Sequence, residues 1–424
     1  MKFLILLFIF SSSIFCEAQK KIITGAERTT LYFPLLKGKS VAVFANQTST
    51  IGNTHLVDSM LKANINVVKI FGPEHGFRGI ADAGEHVKDG IDNKSGLPVI
   101  SLYGDHKKPT ANDLKDVDIL LFDIQDVGVR YYTFISSLEY YIEAAAENEK
   151  PLIILDRPNP NGNYVDGPVL DMAYKSFVGM QPIPIVYGMT VGEYSRMLVE
   201  QNWLGNTDVQ GLFVKVNNET KTNLVINYLK KNKAELGNVD INIITCLNYN
   251  SSTLYKLPIA PSPNLKQMQS IYCYPSTCFF EGTVLSEGRG TDYPFQVFGH
   301  PSYSNKLYAF TPKPNAGAKS SKLYGVKCYG WNISGTTQQV LKTINGKIQL
   351  RYLLEAYKQF PNKDSFFIQP KIDKPENYFF NKLAGNNELM QQIKNGKNEA
   401  QIRNSWQPAL DNFKVIRKKY LLYN

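Results

Sequence analysis

The sequence predicts an α/β protein in which a parallel β-sheet is covered by helices on both faces and is followed by a second, smaller α/β domain. Short continuous apolar runs alternate with amphipathic stretches through the first half of the chain, as in sheets whose strands are buried on both faces. Each run is followed at once by polar residues, Gly or Pro, so every predicted strand ends in a polar loop.

The elements of this half are assigned from apolar periodicity. Five apolar runs are predicted as strands: 39–44, 67–71, 99–102, 119–122 and 152–155. Three stretches with helical spacing are predicted as helices: 55–63, 134–148 and 190–203. Their alternation favours crossover connections and hence a parallel sheet.

The predicted domain boundary lies in a polar stretch rich in Asn and Lys. We predict an N-terminal sheet domain over 19–205, a connection over 206–240 and a C-terminal α/β domain over 241–424. The C-terminal domain mixes strands over 322–333 with helices over 347–360 and 402–420.

The N-terminus has the pattern of an export signal. Lys2 precedes an apolar run that is too short to span a bilayer, and small residues follow at the cleavage positions. Residues 1–18 are therefore predicted to be a cleaved signal peptide, which places the mature protein in the periplasm or outside the cell. Lipidation of Cys16 is the alternative, but Phe15 before it is large for such a site. No later segment resembles a transmembrane helix, so no stable membrane insertion is predicted after cleavage.

Composition limits the class of protein. The 424 residues are 43% apolar and 20% charged, as in folded soluble proteins, and carry a net charge of +10. No clustered basic stripe with interleaved aromatic residues occurs, so nucleic acid is not a predicted partner. No glycine-rich nucleotide fingerprint occurs, so no cofactor is predicted. Four cysteines remain after cleavage, and Cys273 and Cys278 are either paired or buried as thiols.

The loops after the predicted strands are expected to converge. The carboxyl ends of parallel strands lie on one edge of the sheet, where ligands bind. Five consecutive strand ends therefore predict one polar cleft, lined by residues from these segments: 46–48, 72–76, 103–104, 123–126 and 156–161.

Carboxyl groups in these loops suit cleavage of a glycosidic bond, which needs one protonated and one ionised carboxyl group. Glu74 is the best candidate acid, because it lies at a strand end near two Phe residues and partial burial raises a carboxyl pKa. His75 is its candidate partner. Asp123 and Asp126 are candidates for the second carboxylate, although an Asp at a strand end most often caps the next helix. Glu281 and Glu287 in the second domain remain possible.

Four arginines and three tyrosines also lie in or near these loops. An arginine fork suits a carboxylate ligand, but internal salt bridges are expected for at least two of Arg78, Arg130, Arg157 and Arg289. The aromatic residues are either a stacking face for a sugar ring or ordinary core: Tyr103, Tyr131 and Tyr132.

A metal site is the rival chemistry. Glu74, His75, His86 and Asp123 are its candidate ligands, but none of the usual His or Cys ligand spacings occurs. No metal is therefore predicted.

Taken together, these motifs resemble the NamZ-type exo-β-N-acetylmuramidases, formerly a family of unknown function. The resemblance covers nearly all of the mature chain and rests on these segments: 72–79, 83–85, 101–104, 122–133, 155–160, 176–179, 187–193, 261–264, 280–283, 285–291 and 417–421. It implies a Rossmann-like N-terminal domain, a smaller C-terminal domain and an active site in the cleft between them.

The implied activity is release of N-acetylmuramic acid from the non-reducing end of peptidoglycan-derived oligosaccharides or muropeptides, with Glu74 as the catalytic residue. The lactyl carboxylate of that sugar gives one loop arginine a ligand. The residues predicted to be catalytic are Glu74, His75, Asp123 and Asp126. Those predicted to bind substrate are Asn46, Arg78, Glu85, Gln125, Arg130, Tyr131, Glu281, Glu287 and Arg289.

The chain departs from the family pattern at three places, and one of them is the connection over 205–240, which is longer than usual. The family often has Trp-x-Arg where this chain has 249–251, and many members have Arg-Pro-Phe-Glu where it has Tyr293 to Gln296. These departures motivate one alternative, a wall-sugar-binding protein that has lost catalysis. An esterase or amidase on the same fold is another, but no Gly-x-Ser-x-Gly elbow supports it.

Overall fold

The computed structural model describes residues 20–79, 85, 88–205, 212–220 and 239–423. The predicted signal peptide, residues 1–18, lies outside the described residues, as does His86.

The described residues form fourteen strands: β1 Val41–Ala45, β2 Thr50–Ile51, β3 Thr54–His55, β4 Val67–Gly72, β5 Gly90–Ile91, β6 Pro98–Ser101, β7 Ile119–Asp123, β8 Leu152–Leu155, β9 Leu212–Val216, β10 Glu219–Thr220, β11 Val239–Ile244, β12 Val297–His300, β13 Tyr308–Phe310 and β14 Cys328–Asn332. The same residues form eleven α-helices: α1 Thr29–Leu36, α2 Leu56–Lys62, α3 Ala111–Leu114, α4 Phe134–Glu147, α5 Val191–Glu200, α6 Met268–Thr277, α7 Thr337–Ile344, α8 Leu350–Gln359, α9 Phe379–Ala384, α10 Glu388–Lys394 and α11 Glu399–Arg417. None of the helices in the part of the chain that is described is long and apolar enough to cross a membrane.

The large sheet confirms the predicted parallel architecture. Its strand order is β10-β9-β11-β8-β7-β1-β4-β6-β5, and only the two-residue edge strands β10 and β5 are antiparallel to their neighbours. The chain order reverses between β1 and β7, which pair in parallel over Val41–Ala45 and Ile119–Asp123. A switch point of this kind opens a crevice at the carboxyl ends of the strands.

The five predicted strands are confirmed as β1, β4, β6, β7 and β8, each within one or two residues of the predicted bounds. Alternate residues of β1 serve different faces of the sheet. Ala42 and Phe44 pack with α4 and α5 residues in the larger apolar cluster, whereas Val41, Val43 and Ala45 pack with α1 and α2 residues in the smaller one. Burial on both faces explains why the strands read as continuous apolar runs.

The segment predicted as a connection, 206–240, contributes to this sheet. β9 lies within it, and β11 spans its predicted end, with β11 paired in parallel to both β8 and β9. Strand β9 was not evident in the sequence because Leu212, Val214 and Val216 are buried while the residues between them are only partly buried, so the strand alternates instead of forming an apolar run.

The C-terminal half surrounds a three-stranded antiparallel sheet, β12-β14-β13, with helices α6 to α11. The predicted helices at 347–360 and 402–420 are confirmed as α8 and α11. The larger apolar cluster runs through both halves, joining Tyr131 to Phe279 and Phe380. Cys273 and Cys278 are buried free thiols, so the possible disulfide between them is not formed.

Candidate functional site

A cavity of about 670 Å³ lies where the loops after β4, β6 and β7 meet the C-terminal half. Its volume suits a small ligand such as one or two sugar units. From the first half it is lined by residues that include Glu74, His75, Tyr103, Lys107 and Thr133, and from the second by residues that include Glu281, Glu287, Arg289, Phe295 and Lys322.

Glu74 enters the cavity because β4 ends at Gly72 and the chain turns sharply after it. The amide of Gly76 donates to the carbonyl of Pro73 at 2.9 Å, and His75 has a φ of 71°. A left-handed backbone is unusual for a residue with a side chain, and such residues concentrate at functional sites. The turn exposes Glu74 partly, while His75 is buried beside it and also lines the cavity.

Two hydroxyl groups position the Glu74 carboxyl group. The Tyr103 hydroxyl donates to Oε1 at 3.0 Å and the Thr133 hydroxyl donates to Oε2 at 2.9 Å. Burial and the nearby Glu74 carboxylate raise the pKa of Tyr103, so it remains a donor at neutral pH. Three strand-end loops thus hold one carboxyl group at the cavity wall, as the sequence predicted for Glu74.

The part of the cavity wall that comes from the second half carries a cluster of alternating charges. Arg289 Nη2 lies 2.7 Å from Glu281 Oε1, and Arg289 Nε lies 3.5 Å from Glu287 Oε1. Lys322 Nζ lies 2.9 Å from Glu287 Oε2. Burial would lower the pKa of Arg289, but Glu281 and Glu287 hold it above its ordinary value. The three residues predicted from the second half are therefore brought together in the cavity.

Asp123 and Asp126, predicted as catalytic, do not line this cavity. Arg157 donates two hydrogen bonds to Asp123, Nε to Oδ1 at 2.5 Å and Nη2 to Oδ2 at 2.8 Å. Both side chains are buried at the carboxyl ends of the strands. Asp126 is buried and accepts hydrogen bonds from the Gly128 amide and the Tyr187 hydroxyl, both at 2.5 Å. Both carboxyl groups are therefore engaged by groups inside the protein and are not part of the wall that holds Glu74.

Most other residues predicted to bind substrate hold loops together instead. Asn46 accepts from the Thr48 amide and hydroxyl, and Gln125 donates to the carbonyls of Asp126 and Pro158. Both side chains are buried, so they shape the loops after β1 and β7.

The predicted arginine ligands are largely used inside the protein. Arg78 forms a two-pronged pair with Asp92, with contacts of 2.9 and 2.7 Å. Arg130 is fully buried, and burial lowers its pKa. It donates to four backbone carbonyls, those of Pro168, Ile183, Leu383 and Ala384. Of the four loop arginines, Arg289 lines the cavity, and the expected internal salt bridges are confirmed for Arg78 and Arg157.

Two further predicted residues lie at the edges of the site. Tyr131 lines the cavity, but its hydroxyl is buried and donates to the Pro275 carbonyl at 2.6 Å. Glu85 is exposed, pairs with Lys319 at 3.3 Å and does not line the cavity.

Three residues that line the cavity were given no functional role by the sequence-based prediction. Thr133 and Lys107 follow β7 and β6, so the strand-end rule contained a signal for both. Lys322 has no such signal, because only the tertiary fold brings the chain before β14 to Glu287.

The described residues contain no group of three or more His, Cys, Asp or Glu side chains that could hold a metal ion. The residues that differ from the family pattern, those of 249–251 together with Tyr293 and Gln296, do not line the cavity, although Phe295 between the last two does. Gln296 is buried and donates to Gln267 and Ser270, and the Tyr249 hydroxyl contacts the backbone of Asn159. These departures were the reason for considering a protein that has lost catalysis, and they do not change the side chains that line the cavity.

Comparison with known proteins gives a consistent result. A family model described as exo-beta-N-acetylmuramidase NamZ, N-terminal, matches residues 41–269, and one described as exo-beta-N-acetylmuramidase NamZ, C-terminal, matches residues 272–423. The peptidoglycan beta-N-acetylmuramidase NamZ of Bacillus subtilis (strain 168) is 35% identical over 418 residues, covering 92% of this chain and 89% of that protein.

Two crystal structures of DUF1343 family proteins from Bacteroides fragilis NCTC 9343 are also similar. One aligns with a TM-score of 0.79 and 42% identity, covering 96% of this chain and 99% of that one. The other aligns with a TM-score of 0.73 and 27% identity, covering 95% and 99%.

Proposed function

Because the chain belongs to the NamZ family of exo-β-N-acetylmuramidases, it is a glycoside hydrolase, and we propose that Glu74 is its catalytic acid. The substrate is a peptidoglycan-derived oligosaccharide or muropeptide, and the product is N-acetylmuramic acid from its non-reducing end. The observation that carries the assignment of Glu74 is its position at the cavity wall, held through both carboxyl oxygens by Tyr103 and Thr133.

In the proposed reaction Glu74 donates a proton to the oxygen that links N-acetylmuramic acid to the next sugar. The bond between C1 and that oxygen breaks, the hydroxyl of a water molecule bonds to C1, and the remaining proton of that water passes to an enzyme carboxylate, which restores the proton count of the site. The Tyr103 and Thr133 hydroxyls fix the direction from which the proton arrives, which general acid catalysis requires.

Glu281 is the proposed second carboxylate. It lines the cavity, as Glu287 does, but its side chain is 20% exposed whereas that of Glu287 is 3% exposed. An exposed carboxylate can meet the sugar or the attacking water. Glu287 is better placed to hold Arg289 and Lys322, which in turn keep the local charge balanced.

Hydrolysis of a chromogenic β-glycoside of N-acetylmuramic acid tests these roles. Glu74→Gln should lower kcat by about 10²- to 10⁴-fold, the contribution typical of general acid catalysis, and Glu281→Gln should lower it substantially. Glu147→Gln makes the same chemical change on α4, where Glu147 pairs with Lys108, and should leave the rate unchanged.

Two outcomes separate the role from the function. Equal rates for wild type and Glu74→Gln would show that another group is the acid. A wild-type enzyme that cleaves neither the chromogenic glycoside nor a natural disaccharide would contradict the function itself. The binding-only alternative predicts saturable binding without turnover, and no relative found by comparison supports it.

We also propose that the protein is exported to the periplasm or beyond the cell. The support is the signal-like pattern of residues 1–18 and the location of peptidoglycan outside the cytoplasmic membrane. N-terminal sequencing of the protein from a cell fractionation should find a mature chain that begins near residue 19. An intact Met1 in the cytosolic fraction would overturn the proposal.

A further inference from the structure

The cavity contains three long cationic side chains, and they differ in what they already bind. Arg289 is shared by Glu281 and Glu287. Lys322 donates to the carbonyls of Phe280 and Thr283 at 2.6 and 2.9 Å, and its ammonium forms an ion pair with Glu287. Both cations are therefore already paired with carboxylates of the cavity wall.

Lys107 is different. It is half-buried at the cavity wall, and its ammonium lies 5.4 Å from the centre of the Phe177 ring. No ion pair joins it to a carboxylate in the described part of the chain. Its neighbour Lys108 points elsewhere and pairs with Glu143 and Glu147, at 3.3 and 2.7 Å.

We propose that Lys107 binds the lactyl carboxylate of the terminal sugar and so determines specificity for N-acetylmuramic acid over N-acetylglucosamine. The inference rests on the proposed function, because it places that sugar beside Glu74. The two sugars differ by the lactyl ether on C3, and where no peptide is attached its free carboxylate is the only ionised group of the ring. The proposal therefore concerns substrates whose terminal sugar carries no peptide, because a peptide converts this carboxylate into a neutral amide.

The geometry of the wall supports this orientation. Tyr103 contacts Glu74 through its hydroxyl, and the centre of its ring lies 6.2 Å from that of Phe177. The Lys107 ammonium contacts the same Phe177 ring. Glu74 and Lys107 therefore occupy separate parts of one wall. A bound sugar ring can meet both groups at once, because the scissile oxygen is on C1, where Glu74 would act, and the lactyl ether is on C3, where Lys107 would bind.

The charge balance agrees. Among the residues that the structure describes, the cavity wall carries three cations, Lys107, Arg289 and Lys322, and, with Glu74 in its proposed role as the acid, two carboxylates, Glu281 and Glu287. One positive charge remains, and one lactyl carboxylate neutralises it. A half-buried site strengthens such a pair relative to one in water.

Matched substrates and variants test the proposal. One chromogenic glycoside carries the lactyl carboxylate and the other carries the neutral lactamide. Lys107→Ala should raise KM for the carboxylate substrate by about ten- to a hundred-fold, the size expected for a hydrogen bond to a charged group, with kcat little changed. Its kcat/KM on the lactamide should stay within about twofold of wild type. Lys107→Arg should restore most of the loss, and Lys108→Ala should leave both substrates unaffected.

Binding separates this inference from the hydrolase assignment. Calorimetry with free N-acetylmuramic acid and N-acetylglucosamine should show that wild type prefers the first and that Lys107→Ala removes the preference, whether or not any glycoside is cleaved. Equal losses on both glycosides, or an unchanged preference in Lys107→Ala, would overturn the role of Lys107 while leaving Glu74 untouched. If wild type cleaves none of the glycosides but still prefers N-acetylmuramic acid in calorimetry, and Lys107→Ala removes that preference, the proposed reaction is overturned while the binding role of Lys107 stands.

Discussion

The carboxyl edge of the sheet has two parts that look alike in sequence and differ in structure. After β4 and β6 the loops open onto the cavity and present Glu74 and Tyr103. The residues directly after β7 and β8 are buried, and Asp123, Asp126 and Arg157 bind other parts of the protein, although the loop after β7 reaches the cavity further on, at Thr133. We call these the open edge and the covered edge. Their difference shows that a polar strand end identifies a ligand site only where no other element packs over it.

The covered edge should respond to substitution through stability. The largest effect is expected for Asp123→Asn, which leaves the Arg157 guanidinium buried without its carboxylate. Breaking one partner of a buried ion pair costs about 3 to 5 kcal/mol of unfolding free energy. Urea denaturation measures the loss, and kcat of the folded fraction should be close to that of wild type. A variant as stable as wild type but inactive would instead make Asp123 a catalytic group.

Arg130 gives a second test of the difference between the open and the covered edge, because the sequence predicted that it binds substrate whereas the structure has it buried. Arg130→Lys cannot reproduce a fork that reaches four carbonyls in two directions. The variant should lose about 2 to 3 kcal/mol of stability, as expected when buried polar groups lose their partners, with KM unchanged. A raised KM at unchanged stability would return Arg130 to the binding site.

Asp126 gives the covered edge a pH dependence. Burial raises its pKa from 3.8 to about 7. Below about pH 4 the group is protonated in both states; as the pH rises towards 7 only the unfolded chain releases the proton, so this contribution to stability is lost. Asp126→Asn cannot ionise and should reduce the loss of unfolding free energy between pH 5 and pH 8 by about 1 to 3 kcal/mol, since one pKa unit is worth about 1.4 kcal/mol.

Denaturation at the two pH values measures this effect, with Asp411→Asn as the exposed control on α11. Glu139 and Glu193 also have raised pKa values, about 8 and about 7, and contribute with the same sign, so the slope of the Asp126→Asn variant should be reduced and not abolished. A slope equal to that of wild type would mean that Asp126 is ionised in the folded protein.

The sequence predicted the open edge better than the covered one, for a physical reason. Position after a strand is a local property, and it led to Glu74 directly. Whether a strand-end carboxylate is covered depends on partners far along the chain. Arg157 is 34 residues from Asp123, and two of the four carbonyls that hold Arg130, those of Leu383 and Ala384, are 253 and 254 residues away.

The same reasoning explains the strands. The central ones were predicted because burial on both faces leaves an apolar run. β9 escaped because its buried and partly buried residues alternate, and polar segments flank it. The role of Lys322 was not predicted because no local sequence pattern indicates that its ammonium will pair with Glu287.

The open edge should respond through kinetics, and its smallest informative change is Tyr103→Phe. The substitution removes one hydroxyl donor from Glu74 and keeps the ring that contacts Phe177. Since Thr133 still holds the other carboxyl oxygen, we expect kcat to fall by about tenfold, the value of one hydrogen bond to a charged group. KM and the unfolding free energy should change little, because the hydroxyl lies at the cavity wall and not in the core. Steady-state kinetics together with a urea titration measure both quantities on one sample. A loss of stability larger than the loss of activity would place Tyr103 with the covered edge, and the division of the sheet edge into two parts would then fail at the residue that touches Glu74.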